Sequence, residues 1–301
     1  MRRALITGAS GFTGHYMVKA LAAAGHEVHA LVQAADGQGT NGAHFVHACD
    51  LTDADACHRV VDSVRPEWVV HLAAVAFVAH SDPSEMYRTN ILGTRNLLAA
   101  LAAASSRPEA VLVASSANIY GNRSEGILDE TSPVQPANDY GVSKAAVEMI
   151  CRIYADTLPM IVTRPFNYTG AGQSPRFLVP KIIDHARRGQ WDIQLGNIAI
   201  ARDFSDVRTV VDAYCRLLQH PRAAGGTFQI CSGRAVALEE ILAMIETFAG
   251  GRFAVRIDPD LVRPNEVISL CGTPALLESV IGPLTPVPLA DSLKWMLQHN
   301  G

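Results

Sequence analysis

Short apolar runs alternate with helix-like stretches from the start of the chain to Pro165. Runs of this length, without a polar residue at every second position, are typical of strands that are buried on both faces of a sheet. Strands that alternate with helices predict an α/β fold with a doubly wound parallel sheet. Ligands of such sheets bind at the carboxyl ends of the strands. The predicted strands are Ala4–Ile6, Glu27–Gln33, Trp68–Leu72, Ala110–Ser115 and Met160–Thr163.

Three segments between these strands predict helices. Asp50–Asp53 opens one helix, Asn90 begins a second that runs through Leu98, and Tyr140 begins a third, long helix. Beyond Pro165 many prolines separate shorter segments, and Asp206–Gln219 and Leu238–Ala249 have the pattern of amphipathic helices.

The change of pattern predicts two units. We expect a dinucleotide-binding domain from residues 1–165 and 194–222, and a smaller C-terminal substrate-binding lobe from residues 166–193 and 223–301. The lobe is expected to pack over the carboxyl edge of the sheet.

A glycine-rich loop follows the first strand and precedes an Ala/Leu-rich helix that is expected to end at Gly25. Gly8, Gly11 and Gly14 have the spacing Gly-x-x-Gly-x-x-Gly. Glycine lets backbone amides approach phosphate oxygens, and the following helix presents its positive end to the same anion. The loop therefore predicts binding of a dinucleotide.

Tyr140 and Lys144 are four residues apart, on one face of the predicted helix. A neighbouring ammonium favours phenolate, and we expect it to lower the pKa of the tyrosine from about 10. A tyrosine tuned in this way gives or takes a proton at neutral pH.

Composition narrows the class of protein. The chain has 301 residues, 49% hydrophobic and 18% charged, with a net charge of −4, which gives no sign of a nucleic-acid surface. The six cysteines form no Cys-x-x-Cys pair, no secretory leader is visible, and the apolar runs are too short to span a membrane. We expect a cytoplasmic enzyme with reduced thiols. The eleven histidines lack metal-site spacing, so no metal is predicted.

Taken together, these motifs resemble the extended short-chain dehydrogenase/reductase family, in particular its nucleotide-sugar branch. The resemblance covers essentially the whole chain and implies a Rossmann fold. It rests on the glycine loop, Asp50-Leu51, His71-Leu72-Ala73-Ala74, Asn90-x-x-Gly93-Thr94, Ser115-Ser116 and Tyr140-x-x-x-Lys144, in the family's order.

The resemblance implies roles for these residues. Tyr140 is the acid/base, Lys144 holds the nicotinamide ribose, and Ser116 hydrogen-bonds the reacting sugar oxygen, with Ser115 as the alternative. The implied cofactor-binding residues are Gly8, Gly11, Phe12, Thr13, Gly14, Asp50, Leu51, Leu72, Ala73, Ala74, Tyr140, Lys144 and Phe166.

The second lobe is similar to that of GDP-mannose dehydratases and GDP-keto-sugar reductases. By this likeness Val179 and Lys181 face guanine, Arg202 and Arg263 clamp the diphosphate, and Glu266 binds ribose hydroxyls. Ser81, Asn167 and Phe177 complete the implied substrate site.

One position departs from the dehydratase pattern. Those enzymes carry a glutamate where this chain has Asn118, and the glutamate removes the C5 proton of the sugar. An asparagine amide does not accept a proton, which argues against dehydration. The Cys and His pair of GDP-fucose synthases has no convincing match either.

The leading hypothesis is NAD(P)H-dependent reduction of GDP-4-keto-6-deoxy-D-mannose at C4, giving GDP-D-rhamnose or its C4 epimer, GDP-6-deoxy-talose. The alternatives are an NAD-dependent nucleotide-sugar 4-epimerase and a non-catalytic dinucleotide-binding regulator. NADP(H) is favoured over NAD(H), because the second strand ends Leu31-Val32-Gln33-Ala34 with no acid before Asp36. The resemblance also implies a homodimer formed through the helices near Asn90–Ala104 and Tyr140–Tyr154.

Overall fold

The computed structural model describes residues 1–33, 40–76, 82–122, 126–262 and 268–299, and contains thirteen strands and ten α-helices there. The strands are β1 Arg3–Thr7, β2 Glu27–Val32, β3 Phe45–Ala48, β4 Trp68–His71, β5 Ala110–Ala114, β6 Met160–Pro165, β7 Asn167–Thr169, β8 Asp192–Leu195, β9 Ala201–Asp206, β10 Thr227–Ile230, β11 Ala235–Ala237, β12 Ala254–Ile257 and β13 Ser269–Leu270. The helices are α1 Phe12–Ala23, α2 Ala54–Val64, α3 Pro83–Tyr87, α4 Gly93–Ala103, α5 Asp139–Ile153, α6 Leu178–Arg187, α7 Val207–Gln219, α8 Leu238–Ala249, α9 Ala275–Ile281 and α10 Leu289–Gln298.

A seven-stranded parallel sheet with the order β10-β6-β5-β4-β1-β2-β3 organises the molecule. The chain builds outward from β1 to β3, then crosses back to β4 and builds in the other direction. The strand order therefore reverses between β1 and β4, and ligands of open α/β sheets bind at such a reversal. The predicted α/β, doubly wound fold of Rossmann type is confirmed.

Both faces of the sheet are covered, which explains the continuous apolar runs in the sequence. Leu5 and Ile6 are neighbours in β1 and point to opposite faces, and each is 0% exposed. Ile6 belongs to a core with residues of α1, α7 and α9, whereas Leu5 belongs to a core with residues of α2, α4 and α5. The helices hold the strand ends in place from both sides.

The second lobe has its own core. α6, α8 and α10 pack together over β8, and the buried side chains include Val179, Ile182, Ile241 and Leu293. A small sheet with the order β11-β9-β13, to which β7 adds, connects this lobe to the main sheet. The edge strand β10 of the main sheet also comes from residues beyond 222.

One predicted helix start was wrong. Asn90 lies inside a longer helical stretch, in a π-helical segment Arg88–Leu92 that joins α3 to α4. The true start is capped by Asp82, whose side chain accepts hydrogen bonds from the backbone of Ser84 and Glu85, with Pro83 at the first helical position. The π turn buries Asn90, which is 1% exposed.

A chain of buried hydrogen bonds crosses the carboxyl edge of the sheet. The Thr94 hydroxyl donates to the carbonyl of Asn90, so the Thr94 oxygen accepts from Nε2–H of His71 at 2.8 Å. Nδ1 of His71 then accepts from the hydroxyl of Thr7 at 2.7 Å, and Thr7 accepts from the Ala73 amide at 3.2 Å. The neutral imidazole thereby joins the ends of β1 and β4 to α4.

Asn90 extends this chain to the helix that begins near Tyr140. Its amide exchanges hydrogen bonds with the backbone of Val75 and donates to the Ser143 hydroxyl at 3.0 Å. Ser143 in turn donates to the carbonyl of Tyr140 at 2.8 Å. The end of β1 and the first turn of α5 are thus positioned by one hydrogen-bonded network.

Burial lowers the pKa of His71 from 6.5 to about 3, which makes the network sensitive to acid. Below pH 6.5 the unfolded chain binds a proton at this imidazole and the folded protein does not, so stability falls as the pH falls. The loss is about 1.4 kcal/mol per pH unit down to the folded pKa. We expect the free energy of unfolding of wild-type protein to fall by about 2 kcal/mol more than that of His71→Asn between pH 6.5 and pH 5.

Urea denaturation of both proteins across this pH range measures the difference. Removing the hydrogen bonds of His71 lowers the free energy of unfolding at every pH. Removing its titration changes only the slope of the free energy of unfolding against pH. Parallel pH profiles for the two proteins would show that His71 is not kept neutral by the fold.

Candidate active site

The glycine loop lies between the end of β1 and α1, at the reversal of strand order. Gly8 has φ +67°, and a Cβ there would lie 2.7 Å from the amide nitrogen of Ala73. A Cβ at Gly14 would overlap the carbonyl oxygen of Gly8. Gly11 precedes α1 without a side-chain cap, which leaves the first N–H groups of the helix to an anion. The loop fits a pyrophosphate group.

The other residues implied for the cofactor surround this loop. Leu72, Ala73 and Ala74 continue from β4 beside Gly8, and the Leu72 amide donates to the carbonyl of Thr7 at 3.2 Å. Asp50 and Leu51 follow the carboxyl end of β3. The Asp50 carboxylate accepts from the amide and hydroxyl of Thr52, and the Leu51 carbonyl accepts from the Asn96 amide.

Phe12 connects the glycine loop with Tyr168 of β7, and Phe166 lies beside the same strand. Phe12 stacks on Tyr168 of β7 with ring centroids 6.1 Å apart, and the Thr13 and Tyr168 hydroxyls hydrogen-bond at 2.7 Å. Phe166 is 4% exposed, and its ring packs in a small core with Tyr120. Only the backbone of Phe166 is therefore available to a bound cofactor.

Ser115 and Ser116 follow β5, and the structure distinguishes between them. Ser116 is the N-cap of a short 3-10 helix, Ala117–Tyr120, and its oxygen accepts from the backbone amide of Asn118 at 3.1 Å. The Ser116 hydroxyl also interacts with the phenol of Tyr140, and this interaction acts to lower the pKa of the phenol. Ser115 is 2% exposed, and its hydroxyl has no hydrogen-bond partner among the described residues. Of the two serines, Ser116 is the one that interacts with Tyr140.

Tyr140 and Lys144 lie in the first turns of α5, which Asn138 caps by accepting from the Gly141 amide at 2.8 Å. The Lys144 Nζ donates to the carbonyl of Ala114 at 2.7 Å and lies 5.9 Å from the centroid of the Tyr140 ring. Lys144 is 5% exposed. The ammonium is therefore held at the end of β5, beside the phenol but bonded to the backbone.

The expected fall in the pKa of Tyr140 was wrong. Burial raises its pKa above 10, because the cost of a buried phenolate exceeds the stabilisation from the Ser116 hydrogen bond. Burial also lowers the pKa of Lys144, from 10.5 to about 8. Both shifts favour the neutral form of a buried group, and at pH 7 Tyr140 is a protonated phenol that can donate.

A buried ion pair lies behind the serine loop. The Arg164 guanidinium makes two hydrogen bonds to the Glu148 carboxylate, of 2.9 and 2.8 Å, and donates to the Tyr120 hydroxyl at 2.9 Å. Arg164 and Glu148 are 4% and 5% exposed. The pair connects β6 to α5 one turn beyond Lys144, and Tyr120 connects it to the 3-10 helix that Ser116 caps.

The implied substrate residues that the structure describes lie in β7, in or just before α6, and in β9. The Lys181 Nζ donates to the carbonyl of Gln194 at 2.7 Å, and Arg202 of β9 donates to the carbonyls of Ala201 and Ile268. Val179 is 1% exposed and packs in the core, so its backbone, and not its side chain, is what could meet a base. Asn167 begins β7 and is partly buried, and Phe177, which is 37% exposed, precedes α6.

Some of the predicted residues lie beyond the described ranges. Ser81, Arg263 and Glu266 fall outside them, as do Ala34 and Asp36 of the cofactor-preference argument. Within the described ranges there is no cluster of three or more His, Cys, Asp or Glu side chains suited to a metal ion. No helix in those ranges is long and apolar enough to cross a membrane.

Sequence reasoning gave Asn118 and Tyr168 no positive role in the site. Asn118 contacts Ser116, and Tyr168 contacts the glycine loop. The sequence identifies Asn118 only as a residue that cannot remove the C5 proton, and Tyr168 does not belong to any of the motifs. The turn that brings Tyr168 onto Thr13 comes from long-range packing, which the local sequence does not reveal.

Two curated relatives match nearly the whole length of the chain. GDP-6-deoxy-D-talose 4-dehydrogenase from Aggregatibacter actinomycetemcomitans is 30% identical over 278 residues, covering 92% of this chain and 90% of that protein. GDP-6-deoxy-D-mannose reductase from Pseudomonas aeruginosa is 32% identical over 308 residues, covering 98% and 96%.

Solved structures match over the same length. A crystal structure from Burkholderia cenocepacia is 48% identical, has a TM-score of 0.92 and covers 99% of this chain and 97% of that one. The structure of RMD from Pseudomonas aeruginosa complexed with NADPH is 30% identical, with a TM-score of 0.84 and coverage of 99% and 97%. The family model for NAD dependent epimerases and dehydratases matches residues 4–231. This chain belongs to the NAD-dependent epimerase/dehydratase family, within the extended short-chain dehydrogenases/reductases.

Proposed function

We propose that this protein reduces the C4 keto group of GDP-4-keto-6-deoxy-D-mannose, giving GDP-D-rhamnose or its C4 epimer. The observation that carries the proposal is the arrangement of a protonated Tyr140 beside the Ser116 hydroxyl, just beyond the carboxyl end of β5. A ketone oxygen needs hydrogen-bond donors, and these two hydroxyls provide them. The names of the GDP-6-deoxy-sugar relatives support the same class of substrate.

The cofactor of the reaction is a nicotinamide dinucleotide, with NADP(H) favoured and NAD(H) the alternative. The NADPH complex of the Pseudomonas aeruginosa neighbour supports this preference. When bound, the reduced nicotinamide supplies the hydride that adds to C4. The glycine loop holds the pyrophosphate through backbone amides, and Gly8 and Gly14 give it the space it needs.

The side chains of this protein supply the proton. As hydride arrives, negative charge develops on the C4 oxygen, and Ser116 and Tyr140 both donate to that oxygen. Tyr140 then transfers its proton and forms the alcohol. Lys144, whose Nζ is fixed by Ala114, stabilises the resulting phenolate electrostatically until a proton returns.

The second lobe is proposed to bind the GDP moiety. Arg202 on β9 and Arg263 are the proposed diphosphate ligands, Lys181 and the backbone at Val179 are the proposed guanine contacts, and Glu266 is the proposed ribose contact. Ser81, Asn167 and Phe177 remain proposals for the sugar and nucleotide. The division into residues 1–165 and 194–222 and residues 166–193 and 223–301 is likewise a proposal, and a cytoplasmic location stays a prediction.

Two other functions use the same fold. A nucleotide-sugar 4-epimerase with tightly held NAD needs the same tyrosine and serine. Asn118 separates both it and the reductase from a dehydratase, because the amide cannot remove the C5 proton. A dinucleotide-binding regulator needs neither hydroxyl, so any turnover excludes it.

Two reactions test the proposal. GDP-mannose incubated with NADP should give no keto sugar. GDP-4-keto-6-deoxymannose incubated with NADPH should be reduced, and the loss of NADPH absorbance measures this reaction. NMR of the product assigns the configuration at C4. Keto sugar formed from GDP-mannose would disprove the argument from Asn118. If the second reaction is silent and a UDP-hexose is epimerised at C4, the epimerase function replaces the reductase.

Matched variants connect the turnover to the proposed residues. Tyr140→Phe should reduce turnover by about 100-fold or more while cofactor binding persists, because the general acid is lost. Ser116→Ala should cost about 100-fold in kcat, as for loss of an oxyanion donor. Ser115→Ala removes the neighbouring hydroxyl, which bonds to nothing described, and should leave kcat unchanged. Equal effects at the two serines would remove Ser116 from the mechanism.

We also propose that two copies associate through α5 and α4. Val142, Met149 and Ile153 are 40%, 60% and 75% exposed, and their spacing places them on one face of α5. Leu92, just before the adjacent α4, is 42% exposed. Apolar side chains in a contiguous stripe on a helix are typical of a protein interface.

Ile153→Lys should shift the protein towards the monomer in sedimentation velocity, because a charge replaces an apolar contact. Ile257→Lys is the matched control, since Ile257 is 58% exposed on β12, away from this face. It should leave the oligomeric state unchanged. A monomeric wild-type protein, or dissociation by both variants alike, would contradict the proposed interface.

A further inference from the structure

The oxygen of Ser116 receives two hydrogen bonds from one residue. The backbone N–H of Asn118 donates to it at 3.1 Å, and the side-chain Nδ2–H of Asn118 donates to it at 3.1 Å as well. Ser116 is 6% exposed, and Asn118 is partly buried above it.

A serine hydroxyl has one hydrogen to donate and two lone pairs that accept. Because both lone pairs of Ser116 are occupied by Asn118, its hydrogen is directed towards a third atom. The Tyr140 phenol is a neighbour with which the Ser116 hydroxyl interacts, and this interaction favours the ionised form of the phenol. The place where Ser116 and Tyr140 point is where the proposed reaction puts the C4 oxygen of the sugar.

We infer that Asn118 is a positioning residue that makes Ser116 an obligatory donor to the reacting oxygen. The inference rests on the proposed C4 oxidoreduction and adds a residue to it. Without the Asn118 amide, the Ser116 hydroxyl is free to rotate and to accept from Tyr140, which takes one donor away from the substrate oxygen. A donor that is fixed before the reaction does not have to reorient when charge develops on the oxygen. The absence of this reorganisation energy is the source of its catalytic effect.

The backbone part of this arrangement is ordinary capping, since Ser116 begins the 3-10 helix and accepts from the second residue after it. A backbone donor alone fills one lone pair and leaves the hydroxyl two orientations. The side-chain amide fills the other. Position 118 therefore has a use in this protein that differs from proton removal at C5, and Asn performs it because it is a neutral donor.

Asn118→Asp is the decisive variant, because it keeps the shape and replaces the N–H donor by an oxygen that accepts. The carboxylate should draw the Ser116 hydrogen to itself. We expect kcat for the keto sugar to fall by about 10- to 100-fold with KM little changed, the scale of a misplaced catalytic group. Asn122→Asp adds the same charge at an exposed position shortly after the 3-10 helix and should leave both constants unchanged.

A double-mutant cycle separates positioning from a structural role. If Asn118 acts through Ser116, then Asn118→Asp in a Ser116→Ala background should cost nothing further. Two results overturn the inference. One is wild-type kcat in Asn118→Asp, which would mean that Ser116 donates to the side chain of Asn118. The other is an equal fall in kcat in both backgrounds, which would assign Asn118 to the loop structure alone.

The cycle is run on whichever nucleotide sugar the wild-type protein turns over, so loss of the GDP assignment does not affect it. If no sugar is turned over, the proposed function fails, and proton exchange at the Asn118 side-chain amide tests the inference instead. Its NMR signal, identified by its loss in Asn118→Asp, should exchange faster with water in Ser116→Ala than in wild-type protein. Identical exchange in the two proteins would show that the hydrogen bond does not exist.

Discussion

The hydrogen bonds of one buried imidazole connect the end of β1, where the glycine loop begins, to the helices that follow β4 and precede β6. The strands of a parallel sheet end at one edge, and the polar groups that are buried there have no water to bind. His71 satisfies them by accepting from Thr7 and donating to Thr94. Asn90 carries the contact on to Ser143 and so to the first turn of α5. If this chain of bonds is broken, the glycine loop and Tyr140 no longer share a fixed frame.

The pKa shifts of Tyr140 and Lys144 are caused mainly by burial, and less by neighbouring charges. Burial keeps Tyr140 protonated and makes the Lys144 ammonium easier to deprotonate. One turn further along α5, Glu148 stays buried because Arg164 binds both of its oxygens. The same helix thus carries a neutral phenol and a cation at its start, and an anion in a bidentate ion pair one turn further on. Among the described residues the Lys144 ammonium forms no ion pair, and it lies 5.9 Å from the centroid of the Tyr140 ring.

The sequence was informative where local rules decide the structure. Both-face burial determines the apolar strands, and α8 has the bounds that its periodicity predicts, Leu238–Ala249. The positive φ of Gly8 and the tight approach at Gly14 are visible as glycines. The predictions that were wrong concern features that depend on distant parts of the chain. The start of the helix at Asp82 was missed because the π turn at Asn90 hides the period, and the pKa of Tyr140 was misjudged because desolvation cannot be read from a spacing of four residues.

The hydrogen bond between Thr13 and Tyr168 connects two segments that are separate in the sequence and that are each proposed to bind a diphosphate. Tyr168 lies in β7, which pairs with β9, and β9 carries Arg202. The loop proposed to hold the cofactor pyrophosphate is therefore one side chain away from the sheet proposed to hold the sugar diphosphate. If binding at either site alters this contact, thermodynamic linkage requires that each ligand change the affinity for the other by the same factor. Cofactor and sugar nucleotide would then bind as interdependent ligands on one scaffold, although the residues proposed to bind their phosphates are different.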